Sequence, residues 1–368
     1  MRLVRILGTL EPGGAQLSTL RLTVALRRRG ITTTVLAGDA IPAGIELLAR
    51  YGTPAEAYRV ADRIPSCSLQ WTPRDDFAEW LAPRLAGADI VHGHMIGAWW
   101  AATRAAPGGV PVVGSEHNQL SWPGEDYTPQ ARSAARRIGL FFTHGPAARA
   151  WAVSLGLDDG RLREGRSSVE GLSARPLPGL PSPRLTFAGR FRADKAPDVL
   201  VEALALLDRP PPAYLIGDGP LREEVAGLVR ARGLESVVRL PGWSYEPGAF
   251  VAGATVHVVP SREESWSQSA VMALGLGVPV VGTAVDGLAV TLAEGRGILV
   301  PPADPRSLAD ALSRVLAGQR PDPDPGLVYA RQFTPEAAAE VYYRAYAELL
   351  PGGGRAGGQA PYRHGSGF

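Results

Sequence analysis

The sequence predicts an α/β protein built from two doubly wound parallel sheets. Three observations lead there: apolar strand-like runs alternate with amphipathic helical runs, the alternation stops at a proline-rich stretch, and it then restarts. With 368 residues, 45% of them hydrophobic, the chain is long enough for two cores.

The first half opens with the strand-like "RLVRILGTL", the helical "AQLSTLRLTVALRRRG" and the strand-like "TTTVLAG". It continues with "FAEWLAPRLAGA", "DIVHGHM", "GAWWAATRAA", "VPVVGSEHN" and "LFFTHG", the last leading into "PAARAWAVSLG". Residues 1–173 are therefore expected to form one Rossmann-like domain, and residues 174–184, "ARPLPGLPSPR", a linker about which the domains close. Behind it "LTFAGRF", "APDVLVEALALL", "AYLIGDG", "LREEVAGLVRARG", "VVRLPG", "TVHVVPS", "SQSAVMALGLG" and "PVVGT" repeat the pattern as a second domain over 185–334. A C-terminal helix is expected over 335–350, packing back toward the first domain, with the Gly-rich 351–368 as a flexible tail. In sheets of this kind ligands sit at the carboxyl ends of the strands, so the residues just after each strand carry the chemistry.

Composition narrows the function. A net charge of +2 gives no basic surface for nucleic acid. The single cysteine, Cys67, cannot form an internal disulfide, "MRLVRILGTL" is too short for a signal peptide, and no apolar run reaches the roughly 20 residues of a membrane span. A cytoplasmic protein with no nucleic-acid or membrane partner is expected; composition does not fix its oligomeric state. Of 38 Lys plus Arg residues only Lys195 is lysine, which marks a place where a compact ammonium is wanted rather than a guanidinium fork.

Gly13 and Gly14 fall between the first strand and first helix, where bare backbone and a helix N-terminus favour an anionic oxygen. In "GRFRADK", Arg190 and Lys195 place two cations between a strand end and a helix start, a pattern suited to stabilising negative charge. The hydroxyls and amides of Ser267, Gln268 and Ser269, at another helix start, can hold phosphate as well. "HGH" invites a metal reading, but His92 and His94 are expected on opposite faces of their strand and no third ligand cluster accompanies them, so no metal is expected.

"EPGGAQ", "FAGRFRADKAPDVLVEAL", "LIGDGPLREEV", "LPGW", "VVPSREESWSQSAVMALGLGVPVVGT" and "GRGILVPPADPRSLADAL" together resemble, in this order, the retaining GT-B glycosyltransferases of family 4 type. The resemblance spans residues 1 to 350 and implies the GT-B fold, two doubly wound Rossmann-like domains facing across a cleft. It implies a nucleotide sugar as donor substrate and no essential metal or cofactor. It also implies that Gly13 and Gly14 lie over the donor diphosphate, that Arg190 and Lys195 stabilise the leaving group, and that His117 sits beside the anomeric centre. Leu240 and Gly242 would contact the base, with Gly189 and Gly217 at the neighbouring strand ends. Glu264 falls on the first of two glutamates, the one that meets the donor sugar. The second, which would meet the ribose, is replaced by Met272. Lost ribose binding weakens ground and transition states alike, so the substitution is expected to act on substrate binding more than on chemistry.

Glu116, Trp122, Glu125 and Asp126 gather beside His117, and carboxylates with an aromatic face suit a polyhydroxylated, positively charged acceptor. This segment, with "RILGTLEPGGAQ" and "LQWTP", resembles the enzymes that add the second sugar in 2-deoxystreptamine aminoglycoside assembly. That resemblance implies a UDP-sugar donor, xylose first and then glucose or kanosamine, and an aminocyclitol acceptor such as paromamine. Two alternatives stay open: a UDP-sugar epimerase of the same fold, and an inactive sugar-nucleotide-binding partner protein, which Met272 motivates. A dinucleotide-dependent dehydrogenase is the least favoured alternative, because no G-x-G-x-x-G follows the first strand.

Overall fold

Nine successive residues, Arg2–Leu10, form the first strand, and every one after Arg2 is buried. A strand buried on both faces belongs in a sheet covered by helices on both sides. The computed structural model describes residues 1–65, 67–117 and 126–350. Its first sheet comprises β1 (Arg2–Leu10), β2 (Thr32–Ala40), β3 (Ala55–Val60), β4 (Ile90–His94), β5 (Val112–Glu116), β6 (Ile138–Thr143) and β7 (Leu162–Glu164). All are parallel, in the order β3-β2-β1-β4-β5-β6-β7. The second comprises β8 (Leu185–Ala188), β9 (Ala213–Ile216), β10 (Val238–Gly242), β11 (Val256–Val259), β12 (Val280–Thr283) and β13 (Ile298–Val300), again parallel, ordered β10-β9-β8-β11-β12-β13.

Strand order reverses between β1 and β4 in one sheet and between β8 and β11 in the other, and those are the positions where doubly wound sheets bind ligands. The helix Gly14–Arg28 leaves β1 at one switch point; the helix Gln268–Gly275 follows β11 at the other. The second of these starts where it does because Ser267 Oγ accepts the Ala270 N–H at 3.3 Å, filling one of the orphan donors of a helix start.

The helix Pro335–Ala347, capped by Thr334 Oγ1 on the Ala337 N–H, buries Ala338, Ala339, Tyr342, Ala345 and Tyr346 on one face. Those residues pack against Leu3, Leu22, Leu26 and Phe142 of the first domain. The chain therefore crosses between domains twice, and the two crossings touch: the Val169 N–H donates to the Phe333 carbonyl at 2.8 Å. Residues 174–184 are docked on the second domain, where the Leu177 N–H donates to the Ala249 carbonyl at 2.8 Å and Arg184 donates to the Phe250 and Ala252 carbonyls. A proline-rich stretch lacks regular structure, but here it is fixed by side-chain and backbone bonds and is not a free linker.

Candidate functional site at the facing switch points

Arg190, just after β8, reaches across to the first domain. One guanidinium nitrogen donates to the Pro12 carbonyl at 2.8 Å and another lies 3.2 Å from the Glu11 carboxylate. Gly13 makes that reach possible: a Cβ there would stand 2.1 Å from Arg190 Nη2 and 2.7 Å from Gln16 Oε1. The loop after β1 must therefore be side-chain-free for the cation to lie on it. Gln268 Nε2 donates to the Gly14 carbonyl at 2.5 Å, and Gln268 Oε1 accepts from Arg21 at 3.2 Å. The expected phosphate-side residues Gly13, Gly14, Arg190 and Gln268 are thus in mutual contact.

Lys195 lies in the turn before the helix Pro197–Ala205. Its ammonium is 2.9 Å from Glu264 and 3.5 Å from Asp194, and Glu264 also accepts from Ser261 Oγ at 3.3 Å. Burial works against the Lys195 charge, but the Glu264 carboxylate and then that of Asp194 outweigh it and raise its pKa. Lys195 stays charged at neutral pH, with 27% of its side chain open to an incoming group. A cavity of about 480 Å³ opens on the flank of this turn, lined by Arg192, Ala193, Asp194, Pro220, Leu221, Arg262 and Glu263. It touches none of Arg190, Lys195 and Glu264, so the polar contacts define the site better than the cavity does.

Other nucleotide-side residues are placed more by packing. Gly217, at φ +144°, has the Gly189 carbonyl oxygen 1.9 Å from where a Cβ would be, so a glycine is required there whatever binds. The Gly217 N–H donates to the Gly242 carbonyl at 2.8 Å, and the Leu240 carbonyl accepts from Arg222 at 3.1 Å. The Ser267 hydroxyl caps its helix and lies 3.4 Å from Ser269 Oγ, which gives both a structural use. Met272 is 5% exposed in an apolar cluster with Val169, Val251 and Leu274, and its sulfur is 3.6 Å from where a Cβ of Gly171 would stand. An ionised carboxylate at that position would meet an apolar wall.

On the first domain, His117 is 8% exposed and belongs to a column of imidazoles. Ring centroids are 4.2 Å apart for His92 and His94, 5.4 Å for His94 and His117, and 4.0 Å for His117 and His144. The expectation that His92 and His94 face opposite sides of β4 is therefore corrected: residues two apart on a strand share a face. His92 is hydrogen-bonded to Tyr346 and Ser115, and His144 to Tyr342 and Ser167, so the C-terminal helix closes the column. Burial and the Arg5 charge push His117 down to about 3, and burial depresses His92, His94 and His144 too. All four rings are neutral at physiological pH. Among the described residues no group of three His, Cys, Asp or Glu side chains is arranged to hold a metal ion.

Glu116 must be reassigned. It is fully buried, its Oε2 accepts the Trp99 Nε1–H at 3.2 Å, and burial pushes it up to about 8. Adjacent residues on a strand point to opposite faces, so placing His117 with the histidines sends Glu116 into the apolar core, where it has no surface for an acceptor. Asp126 Oδ1 accepts the Thr128 N–H at 2.9 Å, at the start of a helix. The other two acceptor candidates, Trp122 and Glu125, lie outside the described residues. Two site residues escaped the sequence reading: Glu11, which holds Arg190, and Arg5, which holds His94 at 2.9 Å. Arg5 did leave a signal, a charge in the middle of a largely apolar strand.

Residues 12–164 match the family described as Glycosyltransferase Family 4, and residues 182–318 match Glycosyl transferases group 1. A D-inositol 3-phosphate glycosyltransferase from a Nocardioides species is 30% identical, the alignment covering 93% of this chain and 87% of that one. A D-inositol 3-phosphate glycosyltransferase 2 from Catenulispora acidiphila is 32% identical, over 71% and 72%. Among solved structures, Anabaena HepE in complex with UDP superposes with a TM-score of 0.76 at 17% identity, over 95% and 100% of the two chains. Sucrose-phosphate synthase from Thermosynechococcus elongatus gives 0.72 at 21%, over 95% and 99%. The fold is therefore GT-B and the protein an enzyme of the glycosyltransferase class. More particularly, the chain belongs to the family 4, group 1 glycosyltransferases. No helix among the described residues is long and apolar enough to cross a membrane.

Proposed function

We propose that this chain catalyses retaining transfer of a sugar from a UDP-sugar to a hydroxyl of a cyclitol acceptor. The observation that carries the reading is the meeting of Arg190 and Gln268 with the glycine loop of the opposite domain, together with the Lys195–Glu264 ion pair on the same domain as Arg190. Arg190 and Lys195 stabilise the leaving diphosphate, Glu264 orients the donor sugar, and Gly13, Gly14 and His117 complete the site. No protein nucleophile is needed, because in front-face attack the departing phosphate oxygen takes the acceptor proton. Closure occurs about the paired crossings at Val169 and Phe333.

Within that class the first choice is an aminocyclitol such as paromamine, with UDP-xylose as donor and UDP-glucose or UDP-kanosamine next, on the strength of the sequence resemblance. A second acceptor, an inositol phosphate, is favoured by the names of the relatives. Mass spectrometry of products with paromamine or inositol 3-phosphate, against each UDP-sugar and without added metal, separates the two. A pentose or hexose adduct on paromamine supports the first and one on inositol phosphate the second. Release of an altered UDP-sugar without adduct reveals an epimerase, and UDP binding with no turnover an inactive binder.

A further inference from the structure

Arg5 is fully buried on β1, and among the described residues no carboxylate approaches it. Nη1 donates to the Thr19 carbonyl at 2.8 Å and to Thr23 Oγ1 at 3.1 Å, while Nη2 is 2.9 Å from His94 Nε2. A buried cation without a counter-charge is costly, so its contacts deserve a chemical account.

A guanidinium only donates. His94 Nε2 must therefore accept, and the proton of neutral His94 sits on Nδ1. That nitrogen is 3.1 Å from His117 Nε2, so it donates there and His117 Nε2 accepts. The proton of neutral His117 is left on Nδ1. One obligate donor thus fixes the tautomer of two rings in series.

We infer that Arg5 is a positioning residue: through His94 it locks His117 as the Nδ1–H tautomer, so that His117 meets its ligand as a hydrogen-bond donor and not as a base. The ligand atom it suits is an acceptor, a hydroxyl or phosphate oxygen of the substrate. What His117 touches rests on the proposed transfer; the tautomer does not.

The first test is nitrogen NMR of the full chain labelled with ¹⁵N-histidine. His117 is expected to show a protonated Nδ1 and an unprotonated Nε2, unchanged from about pH 5 to about pH 8. The resonances are assigned against His117→Gln or, should that variant not fold, by the scalar coupling across the His94 Nδ1–H to His117 Nε2 bond. A protonated Nε2, or titration within that range, overturns the relay. The second test is kinetic. His94→Leu deletes the relay and is expected to lower kcat about 10- to 100-fold with little change in donor KM. His94→Gln, whose oxygen can accept from Arg5 while its amide donates to His117, is expected to recover most of that loss. Equal kcat for the two variants, both folded, overturns the positioning role. Absence of turnover in the unaltered protein instead counts against the proposed transfer and leaves the NMR result standing.

Discussion

Lys195→Ala removes the ammonium from between two carboxylates. The pair with Glu264 is 27% and 10% exposed on its two sides, intermediate between surface pairs and fully buried ones. Its loss is expected to cost about 1–3 kcal/mol of stability, because among the described residues Glu264 then keeps one of its two hydrogen-bond donors, Ser261 Oγ. The catalytic cost is separate. If Lys195 meets charge that develops only as the diphosphate leaves, kcat should fall about 10²- to 10³-fold, roughly 3–4 kcal/mol in the barrier. Steady-state kinetics, calorimetric UDP affinity and a thermal melt on the same samples distinguish the two effects. Glu264→Gln alone and with Lys195→Ala closes a double-mutant cycle, and a coupling of about 0.5–3 kcal/mol is expected for groups in contact. A folded Lys195→Ala enzyme with unchanged kcat refutes the leaving-group role. An unchanged kcat with raised donor KM reduces it to uniform binding.

Gly13→Ala is compatible with its extended backbone, φ −171°, but drives Arg190 off the loop, so kcat/KM should fall by about tenfold or more with little loss in melting temperature. Met272→Glu puts a carboxyl into an apolar cluster and should destabilise by about 2–4 kcal/mol near pH 7, without tightening calorimetric UDP binding. Tighter UDP binding there would show that the ribose reaches residue 272. Glu116→Gln tests the buried acid: its pKa is raised from 4.5 to about 8, so the stability it lends is full below 4.5 and disappears as pH rises through 8. The glutamine variant should match the unaltered protein in denaturant melts near pH 4.5 and exceed it by on the order of 3–5 kcal/mol above pH 8. Equal stability at both pH values would place the Glu116 carboxyl in contact with water.

Local pattern was enough to reveal the alternation of strands and helices, because strands such as β1 and β6 are buried along nearly their whole length and are mostly apolar. Gly13, Arg190 and Lys195 could be picked out as candidates because they lie between a strand end and a helix start, whereas Glu264 was picked out by the resemblance to the family. Contacts between distant residues were not. Glu11 and Arg190 are 179 positions apart, His92 and Tyr346 254, and no periodicity encodes such a meeting. The assignment of Glu116 failed through parity, because a one-residue step along β5 separates the histidine face from the apolar one.

The return of the helix Pro335–Ala347 to the first domain makes the second domain topologically an insertion, with both ends of its chain anchored in the same partner. Two adjacent tethers define an axis, where a single leash would define only a radius. Two tethers side by side confine the residues after β8 and β11 to fewer positions relative to the glycine loop than one tether would, which raises their effective concentration at that loop. Lengthening one crossing would tilt the axis, whereas cutting one would turn a door into a pendulum.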